Sequence, residues 1–466
     1  MVPRDLAMTQ QSLHHGDAAL AALREVETGL DRRWPESRIE PSLVRIAALV
    51  DLLGSPQRCY PVLHIAGTNG KTSVARMLDA LLSRMGLRVG RYTSPHLQLV
   101  TERISVDGTP ISPERYVEAY QDIEPYIALV DAGSSVPMSK FEVLTGMAFA
   151  TFADTPVDAA VVEVGLGGSW DATNVADAMV AVITPVAVDH VNYLGSDIEG
   201  IAAEKAGIIK PGSVAVLAQQ PPEVARVLAA RSVGVDATVA REGMEFGVLQ
   251  RDIAVGGQQL KLQGLGGVYD QIFLPLHGAH QSRNAALALA AAEVFFGAGA
   301  NSSLDIDAVR DAFATVTGPG RLERVRTAPS VFIDAAHNPH GARALAAALQ
   351  EDFSFRRLVA VVGVMRDKDA RGILAELEPV IDEVVVTVSS SARAMDINDL
   401  AEAARDVFGE SRVRVHRRLP DAIDAAIASA TEGATDPDRI SGAGVVITGS
   451  VAMVGEVRTL FGREPQ

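Results

Sequence analysis

Short apolar, β-branched runs recur at residues 60–66, 87–92, 157–164, 179–188 and 213–217, each the length of one buried strand. Between several of them, at 74–85 and 141–152, the apolar positions fall into helical spacing. Strand runs alternating with helical stretches predict βαβ units and a mostly parallel sheet. Residues 238–276 break the pattern, with polar-apolar alternation around Gly256-Gly257 and Gly264-Leu265-Gly266-Gly267, and predict hairpins appended to the sheet. A second series of strand runs, at 330–333, 358–364, 383–388 and 444–448, follows Thr317-Gly318-Pro319-Gly320, whose turn chemistry marks a boundary. The expected fold class is α/β: residues 1–317 carry the large sheet with its small β insertion, and 318–466 form a smaller Rossmann-like α/β domain. The tail after Phe461 is expected to fray.

Composition narrows the chemistry. A formal charge of −16, from 42 Lys and Arg against 58 Asp and Glu, opposes a phosphate backbone and predicts no nucleic-acid partner. Cys59 is the only cysteine, so an intramolecular disulfide and a Cys-ligated metal site are excluded. A reducing compartment fits. The polar start lacks a signal-peptide pattern, and the apolar stretch 285–300 is interrupted by Glu293 and shorter than the ~20 residues of a spanning helix. A cytoplasmic protein without membrane contact is expected.

Gly67-Thr68-Asn69-Gly70-Lys71-Thr72-Ser73 stands directly after one strand run and before a helical stretch. Glycines let backbone N–H groups converge on phosphate oxygens at a helix N-terminus, Lys71 reaches the terminal phosphates, and Thr72 or Ser73 approaches Mg²⁺. This is a P-loop, and it predicts ATP and Mg²⁺ as cofactors in an ATPase-type domain. One position departs from the general spacing, with Ile65 where a glycine is required. Two strand ends add ligand chemistry at the carboxyl edge of the sheet: Ser94, in Tyr92-Thr93-Ser94-Pro95-His96-Leu97, and Glu163, in Glu163-Val164-Gly165-Leu166-Gly167-Gly168. Asp189-His190 ends a third, with Asp189 placed to orient the His190 ring. A dinucleotide fingerprint fails because position 170 is Trp.

The shortened loop Gly-Thr-Asn-Gly-Lys resembles that of the Mur-ligase superfamily, whose members form amide bonds by ATP-driven carboxylate activation. At Ser94-Pro95-His96-Leu97, Glu163-Val164-Gly165-Leu166-Gly167-Gly168, Asp171-Ala172-Thr173-Asn174 and Asp189-His190 the chain resembles the bifunctional bacterial folylpolyglutamate and dihydrofolate synthases. The resemblance implies a monomeric ligase that joins L-glutamate to dihydropteroate or a reduced folate. It implies Ser94, Glu163 and His190 as magnesium ligands, and Lys205 as a lysine open to carbamylation. Asn284, Arg321 and Asp334 would contact ATP, and His337 would serve the glutamate side. Lys71, Lys205, Asp334 and His337 are the implied catalytic set. Thr28-Gly29-Leu30, Ser139-Lys140-Phe141-Glu142 and Trp170-Asp171-Ala172 would contact the pterin, with Phe141 stacking on the heterocycle. Ser169-Trp170 departs from the family's Arg-Leu at that point. A ligase acting on a nucleotide-linked cell-wall precursor and a nucleotide switch without ligase activity are the alternatives.

Overall fold

The computed structural model describes residues 4–33, 40–299, 302–432 and 442–466, the side chains before Ala18 and that of Asn192 excepted. The first sheet comprises β1 (Val62–Ala66), β2 (Val89–Tyr92), β3 (Ile104–Val106), β4 (Thr109–Pro110), β5 (Ala159–Glu163), β6 (Val180–Ile183), β7 (Val214–Leu217) and β8 (Thr238–Arg241). Their order is β4-β3-β2-β5-β1-β6-β7-β8, parallel except for the β3 and β4 edge. β1 lies between β5 and β6 and every one of its residues is buried, which is why it reads as an apolar run interrupted only by His64. Helices Lys71–Arg84 and Ala279–Phe295 cover one face, and Val44–Leu52, Pro113–Gly133 and Lys140–Asp154 cover the other.

The expected insertion at 238–276 is corrected at its start, because β8 extends the main sheet as its parallel edge strand. The appended unit is a three-stranded antiparallel sheet of β9 (Gly247–Ala254), β10 (Gly257–Gln263) and β11 (Val268–Leu274). Its 264–267 turn folds over Glu293, whose carboxylate accepts from Leu265 N at 2.6 Å, Gly266 N at 2.9 Å and Tyr269 Oη at 2.8 Å. A Cβ on Gly264 would sit 2.5 Å from that carboxylate, so the turn needs glycine there. The run at 179–188 is also shorter than expected. β6 stops at Ile183, and the chain turns so that Pro185 O accepts from Thr68 N at 3.0 Å.

The second sheet holds β12 (Glu323–Thr327), β13 (Ser330–Ile333), β14 (Arg357–Val362), β15 (Glu383–Val386), β16 (Val413–Val415) and β17 (Ala443–Thr448), in the order β12-β13-β17-β14-β15-β16. β12 pairs antiparallel, and the other strands run parallel. Its two faces bury separate apolar clusters under helices Pro339–Asp352, Ala370–Leu377 and Ile397–Phe408 on one side and Leu419–Ala430 and Val451–Leu460 on the other. The tail does not fray as expected. Arg463 O accepts from Gln98 Nε2 at 2.8 Å and Glu464 O from Arg458 at 2.7 Å, which ties it across both sheets' layers.

Candidate active site

The carboxyl edges of the two parallel sheets face each other across a cleft of about 1750 Å³. Within it the 67–73 loop opens helix Lys71–Arg84, with Gly67 and Gly70 at φ +142° and +92°. Gly70 is obligatory because a Cβ would lie 2.7 Å from Asn284 Oδ1, which places Asn284 against the loop. Lys71 Nζ donates to the carbonyls of Gly67 and Thr68, each at 3.2 Å, and burial lowers its pKa. Lys205 Nζ donates to Gly67 O at 2.8 Å. Burial, with the Lys71 charge beside it, pulls the Lys205 ammonium down to about 7, so near neutral pH a large share is the free amine.

Glu163, at the end of β5, accepts from Thr72 Oγ1 at 3.1 and 3.0 Å and from Ser94 N at 3.4 Å. Burial raises its pKa against the opposing Lys71 charge. Carboxylate and hydroxyl oxygens thus converge at the mouth of the loop, a donor set suited to Mg²⁺. Burial holds the His190 imidazole down at about 3, so it stands neutral with a lone pair. The oxygens of Thr72 and Glu163 fit a magnesium ion. The expectation that Asp189 orients His190 is corrected: their ring-to-carboxylate distance is 3.9 Å, and Asp189 points instead at the second sheet's loops. It takes Lys368 Nζ at 2.5 Å and Asn338 Nδ2 at 2.9 Å, with His337 Nε2 at 3.5 Å. Burial opposes its ionisation, but the His337 hydrogen bond and the Lys368 charge hold the carboxyl far below the usual range.

Arg321, His337 and Asp334 line the same cleft from the second sheet's side. Both Asp334 oxygens are engaged by the backbone, accepting from Leu322 N and Ala336 N at 2.8 Å each. Burial raises its pKa, and its two backbone hydrogen bonds hold the turn that carries His337. At the far end of the cleft Phe141 and Trp170 lie over bare glycines. A Cβ at Gly165 would meet Phe141 Cζ at 2.4 Å, and one at Gly167 would meet Trp170 Cζ2 at 2.9 Å. Asp171, whose pKa burial raises, accepts from Leu166 N at 2.9 Å and Thr173 N at 3.0 Å and lines this end beside Ala172.

Four of the residues expected at the pterin are not part of the cleft lining among the described residues. Thr28, Gly29 and Leu30 stand outside the cleft lining: Thr28 Oγ1 bonds back to Arg24 O at 2.7 Å, and Leu30 is fully buried in the helical layer. Lys140 turns away to pair with Glu27 and Asp31, each at 2.7 Å. Ser139 and Glu142 reach the cleft wall but form a capping box that starts helix Lys140–Asp154, and Glu142 also accepts from Arg45 Nε at 3.0 Å. The Ser-x-x-Glu spacing carries that signal. Lys368 and Asn338 were absent from the expected site. Lys368 follows β14 at the sheet's carboxyl edge, the same position rule that identifies Glu163.

Comparison with known proteins fits this geometry. The Mur ligase middle domain matches residues 65–292 and the Mur ligase glutamate ligase domain matches 320–451. The dihydrofolate synthase/folylpolyglutamate synthase of Mycobacterium tuberculosis is 62% identical over 464 residues, 96% of this chain and 95% of that one. The chain belongs to the dihydrofolate synthase/folylpolyglutamate synthase family. The dihydrofolate synthase/folylpolyglutamate synthase of Bacillus subtilis is 33% identical over 80% of this chain and 88% of its own. Among solved structures, M. tuberculosis folylpolyglutamate synthase complexed with ADP superposes with a TM-score of 0.92 at 62% identity, covering 96% of this chain and all of that one. Escherichia coli FolC in complex with DHPP and ADP gives 0.82 at 30% identity, covering 94% and 97%. The mixed α/β architecture of this family is the one described above.

Proposed function

We propose that this chain is an ATP-dependent C–N ligase that adds L-glutamate to dihydropteroate and to reduced folates. The observation that carries the reading is the facing of two chemistries across one cleft. The phosphate loop with Glu163 lies on one side and the Arg321, Asp334 and His337 segment on the other. Residues 1–317 act as the ATP-binding body and 318–466 as the glutamate-ligase body. The protein acts on small molecules in the cytoplasm, a reading supported by its acidic balance and single cysteine, and as a monomer, as the family resemblance implies. No helix among the described residues is long and apolar enough to cross a membrane.

A free carboxylate resists attack by an amine because oxide is a poor leaving group. The γ-phosphoryl of ATP therefore passes first to a carboxylate oxygen of the pteroyl or folyl substrate, releasing ADP and leaving an acyl phosphate. Backbone N–H groups of the 67–73 loop and Lys71 oppose the charge on the phosphates. Thr72, Ser94, Glu163 and His190 would hold Mg²⁺, which supplies further neutralisation of phosphoryl charge when bound. Arg321 adds a cation from the second body. Phe141 and Trp170 flank the flat heterocycle, which fixes the carboxylate at the loop. Glutamate enters beside His337, its amine attacks the acyl carbon, the C–N bond forms as phosphate departs, and the amine's proton is released. Closure of the two bodies excludes water that would otherwise hydrolyse the acyl phosphate.

The test is phosphate release by purified protein with Mg-ATP and glutamate, with dihydropteroate, tetrahydrofolate or neither, and products identified by mass. Glutamate adducts of both pterins are expected. Turnover without either pterin, or no adduct from folded protein that binds ADP, would overturn the assignment.

A further inference from the structure

The chemistry above uses the polar cluster around Asp189 only through His337. Asp189 sits on the loop after β6, in the phosphate-binding body, yet its side-chain partners come from the other body. Lys368, from the loop after β14, donates at 2.5 Å, and both side chains are only 8% exposed. Asn338, from the loop after β13, donates at 2.9 Å to the second oxygen, and His337 Nε2 stands 3.5 Å from it. Asn338 continues the link. Its side-chain oxygen accepts from Asn69 Nδ2 at 3.2 Å and its Nδ2 donates to Asn69 Oδ1 at 3.2 Å, while Asn69 Nδ2 also meets His340 Nδ1 at 2.9 Å. Asn69 is two residues from Lys71 in the phosphate loop.

A buried ion pair between two bodies adds little net stability, but it is directional and specific in length, so it defines one closed arrangement. Amide formation demands such definition. The attacking amine is carried by one body and the acyl phosphate by the other, and a misplacement of about 1 Å costs on the order of a hundredfold in rate. We propose that Asp189 is a positioning residue that registers the glutamate-delivering loops on the phosphate loop, with Lys368 and Asn338 as its receivers. The inference rests on the ligase reading above and assigns how its two halves are aligned. Asp189 acts through these residues and touches no substrate.

The test compares wild type with Asp189→Asn, Lys368→Met and the double variant, measuring kcat and KM for glutamate at saturating ATP and pterin, ADP affinity by calorimetry, and thermal unfolding. Each single variant is expected to lower kcat/KM for glutamate by about tenfold or more, the usual penalty for stranding one member of a buried charge pair. ADP affinity stays within about twofold of wild type, since the phosphate loop keeps its own contacts. The double variant is no worse than the poorer single, and Lys368→Arg restores most of the loss seen in Lys368→Met. If Asp189→Asn does not fold, Lys368→Met combined with Asn338→Ala reads the same link from the other body and must show the same non-additivity. Losses that multiply, unchanged kcat/KM for glutamate, or ADP affinity falling by the same factor would each overturn the proposal. Wild-type protein that makes no glutamate adduct would instead remove the ligase reading, a failure visible before any variant is compared.

Discussion

Replacing Gly67 by alanine tests how tightly the phosphate loop is built against its neighbouring strand. The added Cβ would fall 1.8 Å from Thr184 Oγ1, 2.9 Å from Thr184 Cβ and 3.0 Å from the Thr184 carbonyl oxygen. Gly67 also has φ +142°, which costs a side-chain-bearing residue about 1–3 kcal/mol. Overpacking a filled site costs a further ~1–3 kcal/mol. Together, ~2–6 kcal/mol is a large share of the ~5–15 kcal/mol that typically separates folded from unfolded protein. The carbonyl of Gly67 itself accepts from both Lys71 and Lys205, and shifting it should lower ADP affinity by about tenfold or more alongside stability. Thr184 is fully buried and its hydroxyl has no hydrogen-bond partner among the described residues. Thr184→Ala alone should therefore shift stability by no more than about 1 kcal/mol. Combined with Gly67→Ala, it should recover the share of the overpacking due to the hydroxyl at 1.8 Å, about 1 kcal/mol or more, while the Cβ of residue 184 at 2.9 Å and the backbone strain remain. Thermal unfolding with and without ADP, together with calorimetric ADP titration, reads both effects. A double variant as impaired as Gly67→Ala, or a single variant that binds ADP like wild type, would refute the reasoning.

Further outcomes follow from the site's electrostatics and packing. Lys205 titrates near 7 in the fold against 10.5 when free, so burying its ammonium penalises the folded state fully below pH 7. That penalty is relieved as pH rises from 7 towards 10.5; relative to Lys205→Met, wild-type stability should climb by up to about 1.4 kcal/mol per pH unit across that window, and a flat difference in denaturant midpoints would contradict it. Glu163→Gln keeps the Thr72 hydrogen bond but loses the charge; kcat should drop by about a hundredfold or more and the Mg²⁺ concentration for half-maximal rate should rise. Phe141→Leu should raise KM for dihydropteroate by about three- to tenfold, the worth of an aromatic contact, while KM for ATP is unchanged in steady-state assays. Lys140→Ala should leave every KM unchanged and cost about 1–3 kcal/mol in thermal unfolding, because its ammonium is largely buried against Glu27 and Asp31 outside the cleft and its loss strands Glu27.

The local parts of this site are legible from the chain because local order dictates them. A buried strand, a glycine-rich turn and a helix start in succession produce the phosphate loop, and an acid at a strand's carboxyl end produces Glu163. The central strands, buried on both faces, announce themselves as apolar runs. β12 and β16 do not: they pair on one side only at the sheet's edges, and their exposed residues dilute the apolar signal. β8 reads as hairpin for the same reason, having one neighbour in the sheet.

What the sequence by itself determined is therefore the α/β class, the two strand series, the nucleotide chemistry of residues 67–73 and the candidate metal ligand Glu163. Only the tertiary structure decided which side chains share the cleft. It turned Lys140 outward to Glu27 and Asp31, and it buried Leu30 in a helical layer. It also brought Lys368, 179 positions from Asp189 in the chain, to within 2.5 Å of that carboxylate. Spacing along the chain encodes which face of a strand or helix a residue occupies. Which two loops meet across a cleft depends on strand order and on the docking of two separately folded sheets, and no local pattern carries that information.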